Sequence, residues 1–220
     1  MAVLLIVVGI GFLLLDPLQG YLIKEIIEEN NSVPLSVEVV QENEQAPAEF
    51  RFDQTVPVNW EDVLAGYRAR EDLPVIGGMA IPSLDLQLPV LKGLSEANLI
   101  AGAGTMTPDQ KMGQGNYSLV SHNVARTGVL FTDIQYMDVG ELVYITDMTH
   151  IYVYQINSLE MVSPTRVDVI EEVPGEKLLT LVTCSNDILN RWIAQGNLLE
   201  EVPLDEATDE MVAALSLVIE

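Results

Sequence analysis

LLTLVTCSND, residues 178–187, is apolar at almost every one of its first seven positions and then turns polar. A strand covered on one face alternates apolar and polar residues, whereas a run apolar at both parities is a strand covered on both faces. LLTLVTC therefore reads as a buried strand, and Cys184, the only cysteine of the chain, stands where that strand leaves the core. A polar linker, SNDILN, follows, and then RWIAQGNLLEEV, a second β-rich run. If the two runs are antiparallel neighbours joined by that linker, Cys184 and Arg191 meet at one end of a sheet. Working outward, the chain from Leu73 onward is a series of short β-rich runs broken by Gly and Pro: PVIGGMAIPSL, LQLPVLKG, NYSLVSHN, ELVYITD and THIYVYQINSLEMV. Short strands separated by turn signals predict an all-β barrel or sandwich. HIYVYQI alternates, with Ile151, Val153 and Gln155 on one face and Tyr152, Tyr154 and Ile156 on the other. Residues 129–137 (VLFTDIQYM) predict one or two helical turns between strands, and residues 207–215 a short terminal helix.

The 220 residues leave room for one domain with peripheral segments. With 33 acidic residues against 10 basic ones, the formal charge of −23 excludes a protein that grips nucleic acid by neutralising phosphates. Much of the excess lies on loops and on the tail LLEEVPLDEATDE, where it favours solubility. The chain opens with MAVLLIVVGIGFLLL, uncharged until Asp16. Counted over residues 1–23, this segment approaches the roughly 20 residues that span a bilayer as a helix. A cleaved signal peptide needs a basic n-region and a small-x-small cleavage site, and neither is visible, so a membrane anchor is the favoured reading, with a buried core helix a third. Residues 24–70 then read as a stalk, amphipathic over KEIIEE, ending in a small helix over Trp60–Arg70 with Trp60, Val63, Leu64 and Tyr67 on one face. Residues 71–204 form the main domain, and residues 205–220 an acidic tail.

An exported domain in an oxidising compartment favours cysteines in pairs, which one cysteine cannot form. Cys184 is then either a small buried hydrophobe or a working thiol. A thiol is a nucleophile as thiolate, and a neighbouring cation favours that form. Arg191 is placed to be that cation and cannot act as a base, so it would serve as a donor to a carbonyl or developing oxyanion. A base must come from one of the two histidines. His122 follows the apolar NYSLV at a strand end, and His150 begins a strand in the turn-like TDMTH. Either could be a structural residue; the strand-end position favours His122.

TLVTC with a downstream arginine, together with SLVSHN upstream, resembles a class A sortase. The likeness runs through LPVIGGMAIPSLDLQLPVLKGLSEANLIAGAGTMTPDQKMGQGNYSLVSHN, similar nearly end to end to the first half of that family's catalytic domain, and covers roughly residues 71–204. The resemblance implies an eight-stranded sortase-type β-barrel with a few short helices behind an N-terminal membrane-anchor helix. It implies a cysteine transpeptidase that cleaves an LPxTG-type sorting signal between Thr and Gly and joins the Thr to a cell-wall precursor amine. By motif, Cys184 is the nucleophile that forms a thioacyl intermediate, His122 the general acid and then base, and Arg191 the group that holds substrate and supports the oxyanion. Val120, Val182, Thr183 and Ile193 resemble groove-lining positions, with barrel core as the competing reading. Residues 163–177 lie where the family has a mobile segment that closes over the Leu-Pro part of the signal, so Val167, Val169 and Ile170 are candidate contacts.

Three departures from the family pattern stand out. Asn123 takes the place of a second histidine found in many relatives. Where some members bind calcium, TPDQKMGQGN supplies only Asp109, and Glu171, Glu172 and Glu176 read as a solvated loop face, so neither metal nor cofactor is expected. The basic segment expected before the anchor is missing, which suggests a truncated or misassigned start. The expected partners are LPxTG-bearing secreted proteins, a lipid-linked peptidoglycan precursor as the amine, and the membrane through the anchor, with no nucleic acid. The expected location is the cell membrane, single-pass, with the catalytic domain outside. Two other functions compete: a hydrolytic cysteine peptidase on a similar barrel, and a non-enzymatic surface module in which Cys184 only packs.

Overall fold

The computed structural model describes residues 2–32, 35–50, 58–124 and 128–217. Eight strands close into a barrel: β1 (Val75–Ile81), β2 (Leu86–Leu91), β3 (Ala103–Thr105), β4 (Asn116–Val120), β5 (Leu142–Thr146), β6 (His150–Val162), β7 (Leu178–Cys184) and β8 (Arg191–Pro203), in the order β1-β2-β3-β4-β7-β8-β6-β5. The neighbours are antiparallel except β2 with β3 and β4 with β7. The parallel β4–β7 pair forces a long crossover, and the β5–β6 hairpin lies within it. Closure demands strong bending, which β6 and β8 supply through register shifts at Val153/Tyr154 and Ile156/Ser158. Gly196 faces the second shift, where a Cβ would stand 2.5 Å from the Gln155 carbonyl oxygen, so only glycine lets the two backbones approach.

Inside the barrel, Tyr117, Leu119, Tyr154, Leu179, Leu181 and Ala194 are fully buried together with Phe131 from the 129–137 segment, which folds into turns ending in a 3-10 turn at Ile134–Tyr136. The alternation read in β6 holds. Tyr152, Tyr154 and Ile156 point into this core, while Ile151 and Val153 form an outer cluster with Tyr144 and Val202 that α5 (Asp209–Ala214) covers through Met211.

The N-terminal segment differs from a stalk. A helix, α1, runs from Ala2 to Ser32, and its Ile23, Ile26 and Ile27 are buried in the main core cluster. Full burial of such a side chain is worth about 1.5–3 kcal/mol, so this half of α1 is committed to the barrel. Asn31 and, from α2 (Val37–Glu44), Asn43 donate to the carbonyls of Gln87 and Val75 at 3.2 and 2.8 Å. The helix expected at Trp60–Arg70 is α3 (Trp60–Ala69), started by a reciprocal cap in which Asn59 accepts from Asp62 N and Asp62 accepts from Asn59 N. Its buried face carries Val63 and Gly66, whereas Leu64 is exposed, because close approach to Ile100 of α4 (Glu96–Ala101) at Gly66 sets the helix's rotation. The anchor reading rests on the apolar side chains of residues 1–14, and these are not described; among the described residues no helix is long and apolar enough to cross a membrane.

Candidate active site

Three adjacent strands, β4, β7 and β8, present one face to the barrel interior and the other outward, the latter here called the groove face because it carries the candidate site residues. Tyr117, Leu119, Leu179, Leu181 and Ala194 belong to the interior, so the residues between them face out. Register then stacks these outward residues in rows: Ser118, Thr180 and Gln195; Val120, Val182 and Ile193; and finally Cys184 beside Arg191. The groove face is therefore polar at one end, apolar in the middle and reactive at the other end. The apolar row is closed over by Leu94, Met106 and Val162, with Leu99, Val169 and Ile170 packed against it, a cluster separate from the barrel core.

At the reactive end the chain beyond β4 stays alongside β7. Ser121 N donates to Val182 O at 3.3 Å, Thr183 Oγ1 donates to Ser121 O at 2.8 Å, and Asn123 Nδ2 donates to Cys184 O at 2.8 Å. These bonds tie residues 121–123, and with them His122, along the end of β7 that carries Cys184. His122 is 8 % exposed, and its Nε2 lies 3.4 Å from Glu96 Oε2 without a hydrogen-bond geometry to any acceptor. Arg191, equally buried, donates from Nη1 to Ile188 O at 3.2 Å and Asn190 O at 2.9 Å. The β7–β8 loop that offers these carbonyls is knotted on itself: Asn190 N donates to Ser185 Oγ and Leu189 N to Asp187 Oδ1. Hydrogen bonds from Ser185 and Leu189 hold the Asp187 carboxyl below its usual range, so it stays an ionised acceptor. Burial pushes the Cys184 thiol up, and the Arg191 charge pulls it back down. The arginine thus supplies the thiolate support expected of it but does not overcome desolvation.

The chain and its fold have known relatives. A family model described as the Sortase domain matches residues 79–199, more than half of the chain. The chain belongs to the sortase family. It is 33% identical to Sortase A of Streptococcus agalactiae serotype III (strain NEM316) over 98% of this chain and 90% of that one. It is also 36% identical to Sortase A of Bacillus anthracis over 90% of this chain and 92% of that one. Among solved structures, Listeria monocytogenes sortase A superposes with a TM-score of 0.61 at 35% identity, covering 66% of this chain and 99% of that one. These likenesses place it in class A, as a cysteine transpeptidase on an eight-stranded barrel.

In this sortase Val120, Val182, Ile193, Val169 and Ile170 share one apolar cluster outside the barrel core. Thr183 does not. Strand alternation turns it away from Cys184 to the interior side, 1 % exposed and bonded to Ser121 O, so its role is to tie the His122 segment to β7. Val167 stays 63 % exposed and borders a neighbouring cavity instead. Leu94, Met106 and Val162 were missed; the register shift at Ile156/Ser158 breaks the alternation of β6, so that Leu159 packs on the interior while Val162, paired with Arg191, joins this outer cluster. His150 pairs with Pro203, twelve residues along β6 from the Val162–Arg191 pair, at the opposite end of the strand. Its Nδ1 lies 3.0 Å from Thr149 Oγ1 in the β5–β6 turn, which leaves His122 as the histidine of the groove.

That neighbouring cavity, about 600 Å³, lies between the β3–β4 and β6–β7 connections and is rimmed by Asp109, Lys111, Glu171 and Glu172. Among the described residues no three His, Cys, Asp or Glu side chains are grouped to hold a metal ion.

Proposed function

We propose that this sortase cleaves an LPxTG-type sorting signal between Thr and Gly through a thioacyl intermediate on Cys184. The thiolate sulfur attacks the threonine carbonyl carbon, and Arg191 donates to the oxyanion that develops. The C–N bond then breaks, and the leaving glycine amine takes a proton from the His122 imidazolium. The incoming amine of a lipid-linked peptidoglycan precursor loses its proton to neutral His122 and attacks the thioester. Expulsion of the thiolate leaves the Thr joined to the new amine. The Leu-Pro side chains of the signal lie along Val120, Val182 and Ile193 under Val169 and Ile170. The apolar start of the 1–23 segment anchors the protein in the membrane, while Ile23 at its end packs on the barrel, which lies outside the cell, where secreted proteins and the precursor amine meet.

The observation that carries this reading is the register that pairs Cys184 with Arg191 while the hydrogen bonds of residues 121–123 keep His122 alongside. Full-length protein in detergent, incubated with an LPxTG peptide and a short glycine amine, is expected to yield the Thr-amine product by mass spectrometry. Cys184→Ala should lower that yield on the order of 10⁴-fold or more, as removal of a nucleophile does elsewhere. Cys184-dependent release of the free acid alone would make the protein a hydrolase. No acyl-enzyme on Cys184 would sink the nucleophile assignment.

A further inference from the structure

The β6–β7 connection carries one wall of the groove on the 3-10 turn Val167–Ile170, and that turn has no buried residue of its own. Apolar burial is therefore too thin to hold it, yet it sits over the apolar row. What meets it from below is a directional chain of side-chain hydrogen bonds across three strands. Gln195 Nε2 on β8 donates to Thr180 Oγ1 on β7 at 2.9 Å, and Thr180 Oγ1 donates to Asn116 Oδ1 on β4 at 2.6 Å. Asn116 Nδ2 in turn donates to the backbone carbonyls of Val169 and Glu171 at 2.9 and 3.0 Å. Gln195 Nε2 also reaches Val169 O at 3.4 Å. Asn116 and Thr180 are 5 % and 0 % exposed, so the chain operates away from water, where aligned donors polarise one another. Beside it, Gly115 at φ +51 leaves room for Glu172, whose Oε1 would stand 2.8 Å from a Cβ there.

We propose that Asn116, Thr180 and Gln195 are positioning residues that clamp the Val167–Ile170 wall over the apolar row before substrate arrives. The inference rests on the sorting-signal reading and deepens it: recognition of the signal's apolar residue is preorganised by a polar relay beneath the wall. A wall already in place spares the substrate the cost of ordering it, so the clamp acts on binding more than on chemistry.

The test uses full-length protein in detergent with two variants. Asn116→Asp keeps the acceptor for Thr180 but sets a carboxylate against the Val169 and Glu171 carbonyls. Gln195→Met, at a half-buried position, removes the first donor and replaces Asn116→Asp if that variant does not fold. Hydrogen exchange over residues 166–172 and trypsin cleavage at Arg166–Val167 read the wall without reference to activity. Both are expected to quicken by about three- to tenfold, the equivalent of one or two lost hydrogen bonds. With peptide substrate, KM should rise by a similar factor and by more than kcat falls, and discrimination between Leu and Ala at the first signal position should shrink. Unchanged exchange and cleavage would overturn the clamp. Quickened exchange with unchanged KM and discrimination would overturn its part in recognition. A peptide that wild type does not process would refute the sorting-signal reading, while exchange and cleavage would still decide whether the relay holds the wall.

Discussion

The two ends of the groove face use polar side chains in opposite ways. At the end formed by Asn116, Thr180 and Gln195, donor follows acceptor in an unbroken chain, and the groups are spent on holding a loop. At the other end, His122 Nε2 is buried with no hydrogen bond and only the Glu96 carboxylate at 3.4 Å, and the Cys184 thiol is pushed up by desolvation. A buried polar group left without a partner costs about 1–3 kcal/mol. Such a cost persists where a substrate is to supply the missing contact, whereas a satisfied network stabilises one conformation. The same three strands thus carry architecture at one end and chemistry at the other, four residues apart along β7.

This contrast can be broken at several points. The largest effect is expected at Arg191. Arg191→Ala should lower kcat by about 10²–10³, the range for losing one oxyanion donor. It should also move the pH dependence of Cys184 alkylation upward, because the charge opposing desolvation is gone. Arg191→Lys should bring the alkylation profile back toward wild type while transfer stays slow, since lysine restores the charge but not the fork. An alkylation profile that ignores both changes would separate Arg191 from the thiol.

Next in size is a change on the opposite face of β7. Leu181→Ala, in the barrel interior, should cost about 3 kcal/mol of stability through lost burial and a cavity, seen as a fall of roughly 6–12 °C in Tm. KM of the protein that remains folded should hardly change. A KM effect as large as that of the clamp variants would mean that the two faces of β7 are not independent. The smallest effect is expected at His150→Gln, which should leave transfer rates within about twofold and stability within about 0.5 kcal/mol. A large rate loss there would reopen the choice between the histidines.

The parts of the site legible in the sequence are those that local pattern controls. LLTLVTC and RWIAQG are joined by six residues, so their antiparallel pairing, and with it Cys184 beside Arg191, follows from a short connection between two strand-forming runs. Alternation in HIYVYQI was likewise visible, because strand geometry sends successive side chains to opposite faces whatever the fold. The choice of His122 rested on weaker ground. It depends on β4 lying parallel to β7 across a crossover that holds two other strands, and no local signal encodes that register. Thr183 shows the converse error: motif resemblance put it in the groove with Val182, although neighbours on a strand cannot share a face.

The N-terminal region carries the same lesson. KEIIEE reads as a weakly amphipathic stretch, and nothing within it reveals that Ile26 and Ile27 will be covered by a barrel built from residues far along the chain. The clamp was invisible for a related reason. Asn116, Thr180 and Gln195 are scattered polar residues in three β-rich runs, and only closure of the barrel aligns them.

By itself, then, the sequence determined the strands, their faces, the lone thiol with its arginine and the family, since each depends on period-two geometry or on contiguous motifs. The tertiary structure alone decided which histidine lies on a segment tied to β7, which apolar residues cluster outside the barrel core, and which polar side chains meet the Val167–Ile170 turn. Those depend on strand register between distant segments, and register is chosen by burial of the whole barrel core rather than by any one segment.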